Sequence, residues 1–246
     1  AIVSTANVVT VDGEKVSFSK FGDEVYKFVV DGTTVVELGK NPDLAATTAL
    51  AGKKNIIFAA GDYDSITLLT TPANYYGANI GVDPIDKSGA TAANNFDWAL
   101  SDNWDLSAES ELHRLTVPAG LAGTVVVDGF TITKDIADQS RLITDGSLDI
   151  TYQNILHDAP SSDTTAAFYM HNARSINATD TENAALNADK TTIKNYFVKN
   201  HTSNQFIHET INANVVIDNL YWNTAISGQK RSTLGFFKNG AAVTNA

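Results

Sequence analysis

Twenty-eight carboxylates, five histidines and four arginines are the groups in this 246-residue chain best suited to acid–base, metal or sugar-acid chemistry. Glycoside hydrolysis needs two carboxyl groups about 5 to 9.5 Å apart across a cleft. Asp128 with Asp149, Asp158 with Asp163, and Asp62 with Asp64 are the candidate pairs. With so many carboxylates such pairs also arise by chance, and a solvated acidic face is the competing reading. The histidines His113, His157, His171, His201 and His208 show neither HExxH nor HxH spacing, and the chain has no cysteine, so a zinc site of ordinary type is not indicated. His157-Asp158 and His208-Glu209 are sequence neighbours, which a strand would place on opposite faces. Neither a GxSxG elbow nor a GxxxxGK[ST] loop occurs.

Hard oxygen ligands cluster at DNWD 102–105 and TDTEN 179–183, making Asp102, Asp105, Asp180 and Glu182 the calcium candidates, although neither stretch has EF-hand spacing. No other cofactor is expected. Trp98, Trp104 and Tyr75 are the candidate glycan-contact residues, because large aromatic faces stack on sugars. Trp222 fits a core or turn position better. Asn177-Ala178-Thr179 and Asn200-His201-Thr202 match the glycosylation acceptor pattern, which matters only in a secretory pathway.

These residues need a frame, and an internal repeat supplies one. VDGFTI 127–132, YQNILH 152–157, IKNYFV 193–198 and IDNLYW 217–222 all read apolar, polar, Gly/Asn, apolar. Their third residues, Gly129, Asn154, Asn195 and Asn219, are spaced by 25, 41 and 24 residues. A period of about 24 to 25 residues with one insertion accounts for this, and a solenoid repeat has that length. The polar stretch 172–190 is the expected insertion, and a second lies near 83–112. Further apolar segments follow at 141–143, 167–170, 205–208 and 234–237, so each repeat carries at least two strands. Stacked in parallel, Val127, Tyr152, Ile193 and Ile217 would form one inward column. Gly and Asn at the third position suit left-handed turns, and stacked Asn amides can bond between repeats.

The expected fold is therefore all-β, a right-handed parallel β-helix over residues 53–246, with a β-rich cap or assembly segment at 1–52. Within that segment Asp12-Gly13 and Asp31-Gly32 divide alternating runs and read as hairpin turns. Residues 41–52 read as one short helix, with Asp43 near its start and Gly52 past its end.

Ala60, Gly61 and Tyr63, then Tyr76, Gly77, Ala78 and Asn79, with VDGFTIT 127–133, resemble the entry rung and the frequent rung sequence of pectin-lyase-like right-handed β-helix proteins. The resemblance spans roughly residues 53–240. It concerns scaffold motifs and implies architecture, while a fold alone does not deliver function. Lyases of that kind imply acidic residues holding calcium and an Arg or Lys near the sugar's acidic proton. Arg114, Arg141, Arg174 and Arg231 fall in no recognisable lyase motif.

Composition narrows the partners. A net charge of -11 disfavours phosphate backbones and anionic lipid surfaces, so nucleic acid is not an expected partner. No apolar run of 18 residues occurs, so membrane insertion through a helix is not expected either. The leading expectation is a non-catalytic extracellular, cell-surface or virion-surface structural protein that self-associates or joins a larger assembly and meets a surface glycan. A polysaccharide lyase or glycoside hydrolase, of phage depolymerase type, is the first alternative, and a carbohydrate-binding module the second.

Overall fold

The computed structural model describes residues 41–58, 61–77, 79, 109–138, 148–158 and 190–199, together with short strands at 3–5, 8–11, 14–17, 20–21, 25–30, 34–39, 85–86, 99–100, 168–170, 207–208, 214–223, 237–238 and 241–242. The described residues are all-β, apart from a single 3-10 turn at Thr48–Leu50. The largest sheet has 14 strands, is mostly parallel and curls strongly.

Apolar residues alternate along these strands, and parallel pairing stacks them into columns. In the first column Ile56, Tyr75, Val127, Tyr152, Ile193 and Ile217 stand opposite one another on successive strands. All but Ile217 are fully buried. A second column runs Tyr63, Leu112, Ile132, His157, Val198 and Trp222. A third runs Ile66, Leu115, Ile136, Phe168 and Ile207. Each buried aliphatic or aromatic side chain contributes on the order of 1.5–3 kcal/mol relative to exposure, so the columns dominate the stability.

Between the first and second columns the chain passes through a left-handed residue: Gly129 (φ 79°), Asn154 (φ 53°), Asn195 (φ 47°) and Asn219 (φ 64°). The repeat expected from sequence therefore has its Gly/Asn where the backbone needs it. At Gly77 the constraint is different, because two turns of chain nearly touch. A Cβ there would lie 2.1 Å from the Gly129 carbonyl oxygen, while the Gly77 N–H donates to the Asp128 carbonyl at 2.7 Å.

Toward the amino terminus the pairing becomes antiparallel. Val25–Val30 lies against Asn55–Phe58, the first parallel strand, and also pairs with Thr34–Gly39. It thereby occupies the edge that Asn55–Phe58 would otherwise present. Val8–Val11 likewise pairs antiparallel with Glu14–Ser17, and the Asp12-Gly13 and Asp31-Gly32 pairs lie outside the described residues.

Three expectations change in detail. Residues 41–52 form no α-helix: Asp43 Oδ1 accepts the Ala46 N–H at 3.0 Å, a 3-10 turn follows at Thr48–Leu50, and Gly52 has φ 73°. The insertion near 83–112 ends before 110, because Ser110–Val117 pairs in parallel with both Gly61–Thr67 and Thr131–Asp138. Inside it Ile85–Asp86 pairs antiparallel with Ala99–Leu100. Finally, the partner of Phe168 in the preceding repeat is Ile136 rather than the segment 141–143, which lies outside the described residues. The 172–190 insertion lies outside them as well, save for Lys190, which opens the strand Lys190–Lys199.

Candidate functional site

Among the described residues, the polar side chains that sequence offered for chemistry fall into two groups: those built into the stack and those on its surface. Asp128 belongs to the first. It ends the strand Gly123–Asp128, and its carboxylate is buried at 5% exposure. Oδ2 accepts from Gln153 Nε2 at 2.6 Å and Oδ1 from Asn154 Nδ2 at 2.8 Å. Burial pushes the carboxyl group's pKa above its ordinary value, and the two amide hydrogen bonds pull it back down. The row continues through Asn195 Nδ2 donating to Asn154 Oδ1 at 3.3 Å and Asn219 Nδ2 donating to Asn195 Oδ1 at 2.9 Å.

His157 stands in the second column with no solvent exposure. The reason for a polar residue there lies in the neighbouring strands. Pairing slips between Leu112 opposite Ile132 and Arg114 opposite Asp135, a bulge at the corner. His157 Nε2 lies 2.9 Å from the Lys134 carbonyl oxygen at this bulge, and Nδ1 lies 2.8 Å from Tyr196 Oη. A carbonyl can only accept, so Nε2 carries the proton, and Nδ1 accepts from the Tyr196 hydroxyl. Burial pushes the Tyr196 phenol well above its ordinary pKa, keeping the donor protonated. The imidazole thus satisfies a backbone group that the bulge turned inward.

Two further clusters are built the same way. Asp135, nearly fully buried, receives both Nε and Nη2 of Arg114 in a two-pronged ion pair, the Nη2 contact at 2.8 Å. Arg114, the one arginine among the described residues, is thereby held by a partner in the same sheet. Asn79, buried, accepts the Ser110 N–H at 2.8 Å and donates to Thr131 Oγ1 at 2.8 Å, and Thr131 donates to Glu109 Oε1.

The proposed carboxylate pairs fare differently. Thr124 stands opposite Asp149 and Asp128 opposite Gln153, which separates Asp128 from Asp149 by four residues, roughly 13 Å along the strands. That exceeds the hydrolase range. Asp62 and Asp64 sit on the outside of Gly61–Thr67, exposed and half-buried respectively. Asp158 is half-buried, and Asp163 lies outside the described residues. A cleft of about 380 Å³ opens beside the 41–45 turn, lined by Asp43, Leu44, Ser65, Thr67 and Leu68 among others. Neither Asp62 nor Asp64 lines it.

Tyr75 corrects an expectation. It is 1% exposed in the first column, and its Oη accepts the Leu69 N–H at 2.8 Å, so its ring presents no face to a glycan. Desolvation raises its pKa to about 12, offset in part by the Leu69 bond. Trp98, Trp104, Asp102, Asp105, Asp180 and Glu182 lie outside the described residues. Among the described residues no group of three or more acidic or histidine side chains is placed to hold a metal ion, and no helix is long and apolar enough to cross a membrane.

Sequence reasoning missed the Tyr196–His157–Lys134 chain and the role of Asp128. Position alone does not reveal the second, since Asp218 precedes Asn219 as Asp128 precedes Gly129 and is exposed where Asp128 is buried. The first depends on a bulge that no residue pattern announces. No protein family model, curated protein or solved structure matches this chain.

Proposed function

We propose that the chain is a right-handed parallel β-helix of the pectin-lyase-like kind, serving as a non-catalytic structural element at an extracellular, cell or virion surface. The loops leaving the stack contact a surface glycan or a neighbouring subunit, and the stack gives them a rigid base. The observation that carries this reading is where the buried ionisable chemistry goes. Asp128, Asp135 and His157 are each bonded inside the sheet, to amides, to a guanidinium, and to a phenol and a carbonyl. A general acid or base must reach substrate within hydrogen-bond distance, and these three are enclosed. The helical architecture is supported by three in-register columns, by left-handed turns recurring at the repeat spacing, and by the strong preference of parallel crossovers for the right hand.

The test is to incubate the full chain with a panel of acidic and neutral polysaccharides. New reducing ends and unsaturated products are measured, alongside light scattering of the protein alone. The reading expects no turnover and particles larger than one chain. Turnover abolished by Asp62→Asn would replace it with a lyase or hydrolase. Binding without turnover, by a protein that stays monomeric and loses binding on Trp98→Ala or Trp104→Ala, would replace it with a carbohydrate-binding module.

A further inference from the structure

The amide row running from Asn219 to Asp128 has a direction. Asn219 donates to Asn195, Asn195 to Asn154, and Asn154 to Asp128, so every Nδ2 in it points the same way. A row made of asparagines alone has two equivalent directions, because each amide can turn over and exchange its donor and acceptor ends. An ionised carboxylate can only accept. Asp128 also receives Gln153 Nε2, so both of its oxygens face donors. Opposite it on the two flanking strands stand Tyr76 and Gln153.

Its burial also sets it apart. The outward position it occupies continues through Gln153 and Lys194 to Asp218, and Lys194 and Asp218 are exposed where Asp128 is enclosed. An exposed carboxylate at that position would be solvated by water, whereas the enclosed one takes its solvation from the side-chain amides.

We infer that Asp128 is the polarity anchor of the stack: its carboxylate fixes the hydrogen-bond direction of the amides in the three following repeats. The bond from Asn154 is charge-assisted, hence shorter and stronger than a neutral amide pair. It polarises Asn154 so that its Oδ1 becomes a better acceptor for Asn195, and the effect passes on to Asn219. The inference holds whether or not the protein acts on a polysaccharide.

Side-chain amide resonances of Asn154, Asn195 and Asn219, compared by NMR between the full chain and its Asp128→Asn variant, test it. All three are expected to move, by an amount that declines with each repeat. Displacement of Asn154 alone, with Asn195 and Asn219 unchanged, overturns the inference. Should Asp128→Asn fail to fold, Asn154→Gly keeps the left-handed turn and cuts the row at its first link. The Asn219 amide, which Asn154 does not touch, is then expected to shift, and an unmoved Asn219 overturns the inference equally.

Discussion

Replacing Asn195 by Gly and, separately, by Ala distinguishes the two jobs assigned to it, the left-handed turn and the amide row. Both variants lose two hydrogen bonds, one given to Asn154 and one received from Asn219. At a net ~1 kcal/mol each this costs about 2 kcal/mol. Ala additionally places a Cβ in the left-handed region, here at φ 47°, for about 1–2 kcal/mol. Gly avoids that strain but gives up roughly 0.5–1 kcal/mol of chain entropy relative to Ala. The balance, taken at the centre of the two ranges, leaves Asn195→Ala less stable than Asn195→Gly by about 0.75 kcal/mol. Thr192 supplies the control, since it lies mid-strand opposite Thr151 and Val216. There the order should reverse, with Gly about 0.5–1 kcal/mol worse than Ala. Urea unfolding midpoints, compared at equal slope, read all four variants. An Ala variant at 195 as stable as the Gly variant would refute the reasoning, because the turn would then impose no left-handed requirement.

Gly77→Ala should cost about 3 kcal/mol or prevent folding, since its Cβ would meet backbone at 2.1 Å and the two turns cannot separate without losing the Gly77 to Asp128 bond; soluble yield and thermal midpoint report it. His157→Phe removes the bonds to the Lys134 carbonyl and the Tyr196 hydroxyl, for about 2–5 kcal/mol. Adding Tyr196→Phe should cost less than its single effect, because the bond it would break is already lost, and a double-mutant cycle by denaturant unfolding measures this. The Tyr75 phenol, raised from 10.0 to about 12, favours the folded state fully below pH 10. That stability disappears as pH climbs from 10 through 12, by on the order of 3 kcal/mol. Tyr75→Phe should be less stable near neutrality because it leaves the Leu69 N–H unpaired, and without a phenol to ionise it should lose less between pH 10 and 12.

How much of this was legible in the sequence depends on whether a residue's role was local. Gly129, Asn154, Asn195 and Asn219 announced themselves because the left-handed turn accepts few side chains, and their spacing gave the register of Val127, Tyr152, Ile193 and Ile217 directly. Tyr75 was misread because Tyr75-Tyr76 offers two adjacent aromatics and nothing local says which points inward. Its column partners Ile56 and Val127 decide that, and they are 19 and 52 residues away. His157 was undecidable, since its partner is a carbonyl exposed by a slip between two other strands. Asp128 looked like one more surface acid until Asn154 was seen to donate to it. The helix expected at 41–52 is limited to one turn because Thr47 is extended (φ -87°, ψ 94°): Asp43 caps the residues before it, accepting the Ala46 N–H, and a 3-10 turn follows at Thr48–Leu50.

Cross-linking reads whether neighbouring repeats stack in one register. Thr192 and Val216 stand opposite on neighbouring strands, and Val216 is 42% exposed. Their Cα atoms should lie about 4.8 Å apart, within disulfide reach. The chain has no native cysteine to interfere. Thr192→Cys with Val216→Cys should form an intramolecular disulfide under mild oxidation, while Thr192→Cys with Asp218→Cys, about 8 Å apart, should not. Closure of the Asp218 pair in place of the Val216 pair would contradict the register and the stack built on it.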